Sequence, residues 1–140
     1  MHLKELEIND YNNFYLNLLG QLTNVDRDIT FEKNILIIIK KNSKILVLKN
    51  DNNKIIATWK ILIEQKLYNN FSNMGHIEDV IVDNNYKNLE LGKYIVKKLI
   101  KNGFNNNCYK IVLYCNNDNE KFYKNCNYIN KKIEFCEYKT

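Results

Sequence analysis

The chain has 140 residues, of which 45% are hydrophobic and 26% charged, and its formal charge is +5. That length and composition fit one compact soluble domain (residues 1–140) with a buried core. No apolar run approaches the ~20 residues of a membrane span, and MHLKELEIND lacks the shape of a signal peptide, so a cytoplasmic protein without a membrane partner is expected.

Leu3 to Ile8 reads as a first strand. Tyr11 to Gln21 reads as a helix, with Asp10 as N-cap and Phe14, Leu18 and Leu22 on its inner face. Thr30 to Lys41 reads as a second helix with Thr30 as its cap, and its Ile run leaves a strand as the alternative. Ile45–Lys49 and Ile55–Glu64 form a hairpin about an Asn-rich turn. His76–Val82 is a strand rich in β-branched residues, and Leu91–Asn102 is an amphipathic helix ended by Gly103. Ile111–Cys115 is a short strand, Asn119–Asn125 a short helix and Lys131–Tyr138 a last strand. The Asn clusters at 50–53, 69–70, 84–85, 105–107 and 116–117 mark turns, because Asn tolerates left-handed backbone. The order β-α-α-β-β-β-α-β-α-β predicts a mixed α/β fold, an α+β sandwich rather than a doubly wound sheet.

All but one of the 21 basic residues are Lys, and they form no single stripe, so no nucleic-acid partner is expected. Cys108, Cys115, Cys126 and Cys136 show no C-x-x-C spacing, and His2 and His76 lie far from them, so no metal site is expected. Three of these cysteines fall in or beside expected strands, where a free thiol acts as a small hydrophobe. Such usage fits a reducing compartment.

Three features carry chemistry. The turn Tyr86-Lys87-Asn88-Leu89-Glu90-Leu91-Gly92-Lys93 joins a strand to a helix, and a helix N-terminus with flanking Lys suits a phosphate or pyrophosphate. Gly92 is the residue expected to let backbone approach that ligand. Glu78 and Asp79 interrupt an apolar strand, where alternation would send them to opposite faces. Tyr123 follows Phe122 on the last short helix, with Phe122 inward and Tyr123 emerging beside it.

These motifs, taken together, resemble the GNAT acetyltransferase superfamily and, within it, the glucosamine-6-phosphate N-acetyltransferase family. The residues carrying the resemblance are GHIEDV at 75–80, LGK at 91–93, CYKI at 108–111, KFYKNCNY at 121–128, NLLGQLT at 17–23 and IEQK at 63–66. The resemblance implies a mixed, mostly antiparallel sheet flanked by helices, acetyl-CoA as cosubstrate and no metal. It implies that Val80, Ile81 and Val82 line the pantetheine arm, that residues Lys87, Asn88, Leu89, Glu90, Leu91, Gly92 and Lys93 cradle the pyrophosphate, and that Asn119 contacts the cofactor arm. It further implies that Tyr123 protonates the departing thiolate, that Glu78 and Asp79 hold the amino sugar, and that Thr23, Lys66, Tyr114 and Lys139 border the sugar or its phosphate. Members of that family are dimers, so a homodimer is implied. Four residues depart from the family: Glu90 replaces the first Gly of the Q/R-x-x-G-x-G/A loop, Tyr114 stands where relatives have an acid, and Tyr138 and Lys139 stand where they have Arg. Two other readings remain at this point: acetylation of another amine (a protein N-terminus, Lys or a polyamine), and a module that binds CoA or nucleic acid without catalysis.

Overall fold

The computed structural model describes residues 1–22, 24–25, 42–131 and 135–139. Five strands form one mixed sheet in the order β1 (His2–Glu5), β2 (Ser43–Lys49), β3 (Ile55–Gln65), β4 (Asn73–Val82) and β5 (Cys108–Leu113). The first four pair antiparallel, and β5 joins β4 in parallel. Among the described residues three α-helices accompany them: α1 (Asn13–Leu19), α2 (Leu89–Asn105) and α3 (Asn117–Asn125).

Period-two alternation divides the sheet into two faces. One buries Leu46, Leu48, Trp59, Ile61 and Ile77 against Leu91, Ile95 and Leu99 of α2. The other buries Ile45 and Val47 against Leu6, Tyr11, Tyr15 and Leu16 at α1. The parallel step from β4 to β5 needs a crossover, and the 17-residue α2 supplies it.

The N-terminal elements differ from the expectation. The first strand stops at Glu5, and Ile8–Asp10 turns as a short 3₁₀ segment. Asn12, not Asp10, caps α1, accepting from the N–H groups of Phe14 and Tyr15. Phe14 and Leu22 are exposed, and the buried face is Tyr15, Leu16 and Leu18. Asp10 instead enters the interior, where its carboxylate accepts from Lys49 Nζ at 2.6 Å and ion-pairs with Lys4 at 2.8 Å. Once the carboxylate is buried, its charge must be met, and Lys4 and Lys49 meet it there.

The expected helix over 30–41 lies outside the described residues. Gly103 does not end α2, which runs on to Asn105; a Cβ there would run into the Ile111 side chain, so the glycine serves helix-on-strand packing. The expected last strand over 131–138 does not form in its described part: residues 131 and 135–139 join no strand. Of the four cysteines, all free, Cys108 alone is buried, while Cys115 and Cys136 are exposed, so the small-hydrophobe role holds only for the first.

Burial would raise the Asp10 carboxyl, but hydrogen bonds from Lys4 and Lys49 outweigh it and hold the group at about 2. Asp10→Ala leaves Lys49 buried without its partner and is expected to lower unfolding free energy by about 3 kcal/mol, read from urea melts. Because the folded carboxyl sits below its ordinary value of 3.8, this contribution is complete above pH ~4 and lost as pH falls through about 2.

Candidate functional site

Pairing between β4 and β5 runs only from Asn73↔Cys108 to Ile77↔Leu113. β4 continues to Val82, still paired with β3, so residues 78–82 present an edge that β5 leaves free. A cleft of about 240 Å³ opens where the strands part. Glu78, Asp79 and Val80 line it from β4, Tyr114, Cys115 and Asn116 from the segment after β5, and Asn119 and Tyr123 from α3, with Leu22 closing it from beyond α1. A wider cleft of about 460 Å³ at the opposite end of the sheet, bordered by Glu5, Ser43, Lys44 and Gln65, has no comparable meeting of acid and phenol.

Alternation along β4 breaks at Asp79. Ile77 belongs to the α2 face, and so do Val80 and Val82, three and five residues later. An odd step between residues on one face requires one inserted residue. The register shift between Thr58 and Lys60 shows it, and Asp79 takes φ 54°. This is a β-bulge. Among the described residues, eight non-glycine ones have positive φ, six of them Asn at turns, and Asp79 is the only one of these inside a strand. The consequence corrects the expectation of opposite faces. Glu78 pairs in register with Lys60, and the Asp79 carboxylate lies 3.2 Å from Lys60 Nζ, so both acids occupy the α1 face.

Tyr123 enters from the other side. Its ring packs edge-on against Phe122 and Tyr128, with centroids 5.1 and 5.8 Å away. Burial, with the neighbouring Cys115 and Cys126 thiols, pushes its phenol above the ordinary value of 10. The group is therefore protonated at neutral pH and can donate. Tyr128, behind it, is pushed up to about 12 by burial, and its hydroxyl has no partner among the described residues.

The turn into α2 leaves backbone donors and Lys side chains that can meet an anion. Asp83 is buried and accepts from the Asn85 N–H at 2.9 Å, fixing the chain as it leaves β4. Asn88 caps α2: its side chain accepts from the Leu91 N–H at 2.8 Å and its carbonyl from that of Gly92 at 3.1 Å. The Leu89 and Glu90 amides remain for a ligand at the positive end of the helix dipole. The Glu90 carboxylate is 85% exposed and lies 3.5 Å from Lys93 Nζ, so it points to solvent and its charge is partly met. Lys87 is exposed beside them, and Leu91 faces the core. These groups fit a pyrophosphate held by backbone and Lys. Gly92 acts otherwise than expected: a Cβ there would lie 2.9 Å from the Phe122 ring, so the missing side chain makes room for α3 rather than for a ligand.

Val80 and Val82 lean on the α2-side core, whereas Ile81 is buried on the α1 face. Asn119 and Tyr114 are exposed at the cleft. Thr23 lies outside the described residues. Lys66 is not at the cleft of its own chain. It follows β3 and ion-pairs with Glu64 at 2.5 Å, and β4 runs four residues, roughly 13 Å, from the end of that hairpin to the cleft. Lys139 sits in the exposed tail. The sequence reading missed Cys115 at the cleft and Lys60 beneath Asp79. A lone Lys in the middle of an apolar strand was the signal for the second.

The model of the acetyltransferase (GNAT) family matches residues 8–128, and the chain belongs to that family. It is similar to glucosamine 6-phosphate N-acetyltransferase of Arabidopsis thaliana, with 35% identity over 97% of this chain and 95% of that protein. The corresponding enzyme 1 of Dictyostelium discoideum is 36% identical over 96% of this chain and 88% of its own. The crystal structure of the Arabidopsis protein superposes with a TM-score of 0.85, covering 98% of this chain and 97% of that one, at 34% identity.

Gly92→Ala tests the contact that seats α3. The added methyl drives Phe122 outward, and we expect a loss of about 1–3 kcal/mol in unfolding free energy and a turnover loss of up to ~10²-fold as Tyr123 shifts with it. Combining it with Phe122→Leu should recover part of both; urea melts and initial rates of CoA release read the two effects.

Proposed function

We propose that this protein transfers the acetyl group of acetyl-CoA to the amine of glucosamine 6-phosphate. The products are N-acetylglucosamine 6-phosphate and CoA, on the route to UDP-N-acetylglucosamine. The observation that carries this reading is one cleft with two carboxylates on one wall and a half-buried, protonated phenol on another, opened beside a free strand edge and a helix N-terminus. The similarity to glucosamine 6-phosphate N-acetyltransferases over nearly the whole chain supports the choice of acceptor.

Each group has a task. The free edge of Val80 to Val82 pairs with the amide-bearing arm of the cosubstrate. An N–H on that edge polarises the thioester carbonyl as negative charge develops on its oxygen. The α2 N-terminus, Lys87 and Lys93 hold the pyrophosphate, and Asn119 contacts the arm. Glu78 and Asp79 hold the acceptor amine, with Thr23 and Tyr114 bordering the sugar. The neutral amine attacks the carbonyl carbon: a C–N bond forms, the C–S bond breaks, and the proton given up by nitrogen goes to solvent. Tyr123 gives its proton to the leaving sulfur and regains one from solvent. No acyl-enzyme intermediate is needed, because holding the two reactants in line already removes much of the barrier.

We further propose a cytoplasmic homodimer. Lys66 lies away from the cleft of its own chain, Lys139 is exposed in the tail, and Phe135 and Tyr138 beside it are exposed at 92% and 83%. Pairing two chains through these surfaces covers the apolar tail and brings the two Lys toward the neighbouring cleft, where they meet the sugar phosphate. No described helix is long and apolar enough to cross a membrane.

Purified protein should release CoA with acetyl-CoA and glucosamine 6-phosphate faster than with glucosamine, spermidine or a peptide amine. CoA release with another amine and none with this sugar would refute the assignment. Tyr123→Phe should lower kcat about 10²-fold with acetyl-CoA binding retained by calorimetry; unchanged kcat would remove Tyr123 as the proton donor.

A further inference from the structure

A direct attack needs the acceptor nitrogen uncharged, yet an amine beside two carboxylates holds its proton more tightly. The bulge at Asp79 makes this conflict acute, because it sets Glu78 and Asp79 on the same face. Lys60 lies within this arrangement. It stands in the middle of β3, 29% exposed, with its Nζ 3.2 Å from the Asp79 carboxylate, and its register neighbours are Glu78 on β4 and Ile45 on β2. Among the described residues no cation lies within ion-pair distance of Glu78. From α1, the group that senses Asp79 is the Tyr15 hydroxyl, pushed up to about 12 chiefly by burial and so neutral in the working range. Further along the same face His76 and Glu64 meet each other at 2.8 Å, so the described charges nearest the acid pair are its own two carboxylates and the Lys60 ammonium.

We propose that Lys60 is a positioning residue that cancels the charge of Asp79, so that the acid pair presents one negative charge to the acceptor and the bound amine gives up its proton near neutral pH. Glu78 then orients the amine. Asp79 is held by Lys60 on its bulge and shapes the subsite without adding a second full charge. This assignment rests on the acetyl-transfer reading above and adds a residue that reading does not use. An exposed ion pair of this kind contributes little to folding, so a structural role and an electrostatic one make different predictions.

The test compares Lys60→Met and Lys60→Arg with the wild type, using glucosamine 6-phosphate. Removing the cation leaves the bound amine beside two uncompensated negative charges and raises its proton affinity. In Lys60→Met the acid limb of kcat should therefore move up by about one pH unit, and kcat at neutral pH should fall about tenfold. It should return toward wild type as pH rises, while KM does not increase, because the extra negative charge still binds the protonated, unreactive amine. Lys60→Arg should keep the wild-type limb, and both variants should melt within about 3 °C of wild type. An unmoved kcat limb in Lys60→Met would overturn the assignment while leaving acetyl transfer standing. A wild type without turnover on this sugar would overturn the acetyl-transfer reading and this assignment with it.

Discussion

One inserted residue in β4 governs the cleft. Without it, strict alternation would place Asp79 on the α2 face, among the residues that pack Leu91 and Ile95. With it, both acids face the α1 side, while Val80 and Val82 return to the α2 side. The same strand loses β5 after Ile77, so its far end is paired on one edge only. A positive φ at a non-glycine residue costs energy, and such strain persists where the surrounding structure imposes it. Here pairing with β3 continues beyond the bulge, through Ile81↔Thr58 and Val82↔Ala57, and Lys60 holds the Asp79 carboxylate.

The rest of the fold keeps that strand end in place. Trp59, 1% exposed, and Ile61 anchor β3 to α2, so the strand bearing Lys60 is fixed from the opposite face. Gly75 lies within contact distance of Cys108 and Ile61, and Gly103 meets Ile111, so α2, β4 and β5 pack closely just before the strands part. Asp83 then directs the chain into the α2 N-terminus, and Phe122 seats α3 on Gly92. The anion end, the phenol and the acids thus belong to three elements locked to one another.

Much of this was legible in the sequence. β-Branched runs marked β2 to β5, the Lys-rich amphipathic stretch marked α2, and Asn in place of Gly marked the turns at 53, 69, 70 and 107. The turn at 86–93, the acid pair and Tyr123 were legible as candidate site elements; the structure brings the acid pair and Tyr123 to one cleft and packs Gly92 of the turn against Phe122, the neighbour of Tyr123. The bulge was not, because Ile77, Val80, Ile81 and Val82 are all apolar and fit either phase of the strand. Gly92 and Gly103 read as backbone devices, although their role is to leave room for Phe122 and Ile111, which are far along the chain. Asp10 was read as a cap because its partner Lys49 is 39 residues away. Each miss is a case in which a tertiary contact decided between local options that the sequence leaves nearly equal.

The central claim is that the free edge of β4 and the N-terminus of α2 are where acetyl-CoA sits. Amide hydrogen exchange with and without acetyl-CoA tests it most directly. Protection should appear at the amides of residues 80–82 and 89–93, with the shared β3–β4 pairing before the bulge unchanged. Protection confined to other parts of the chain, or none at saturating ligand, would contradict the account.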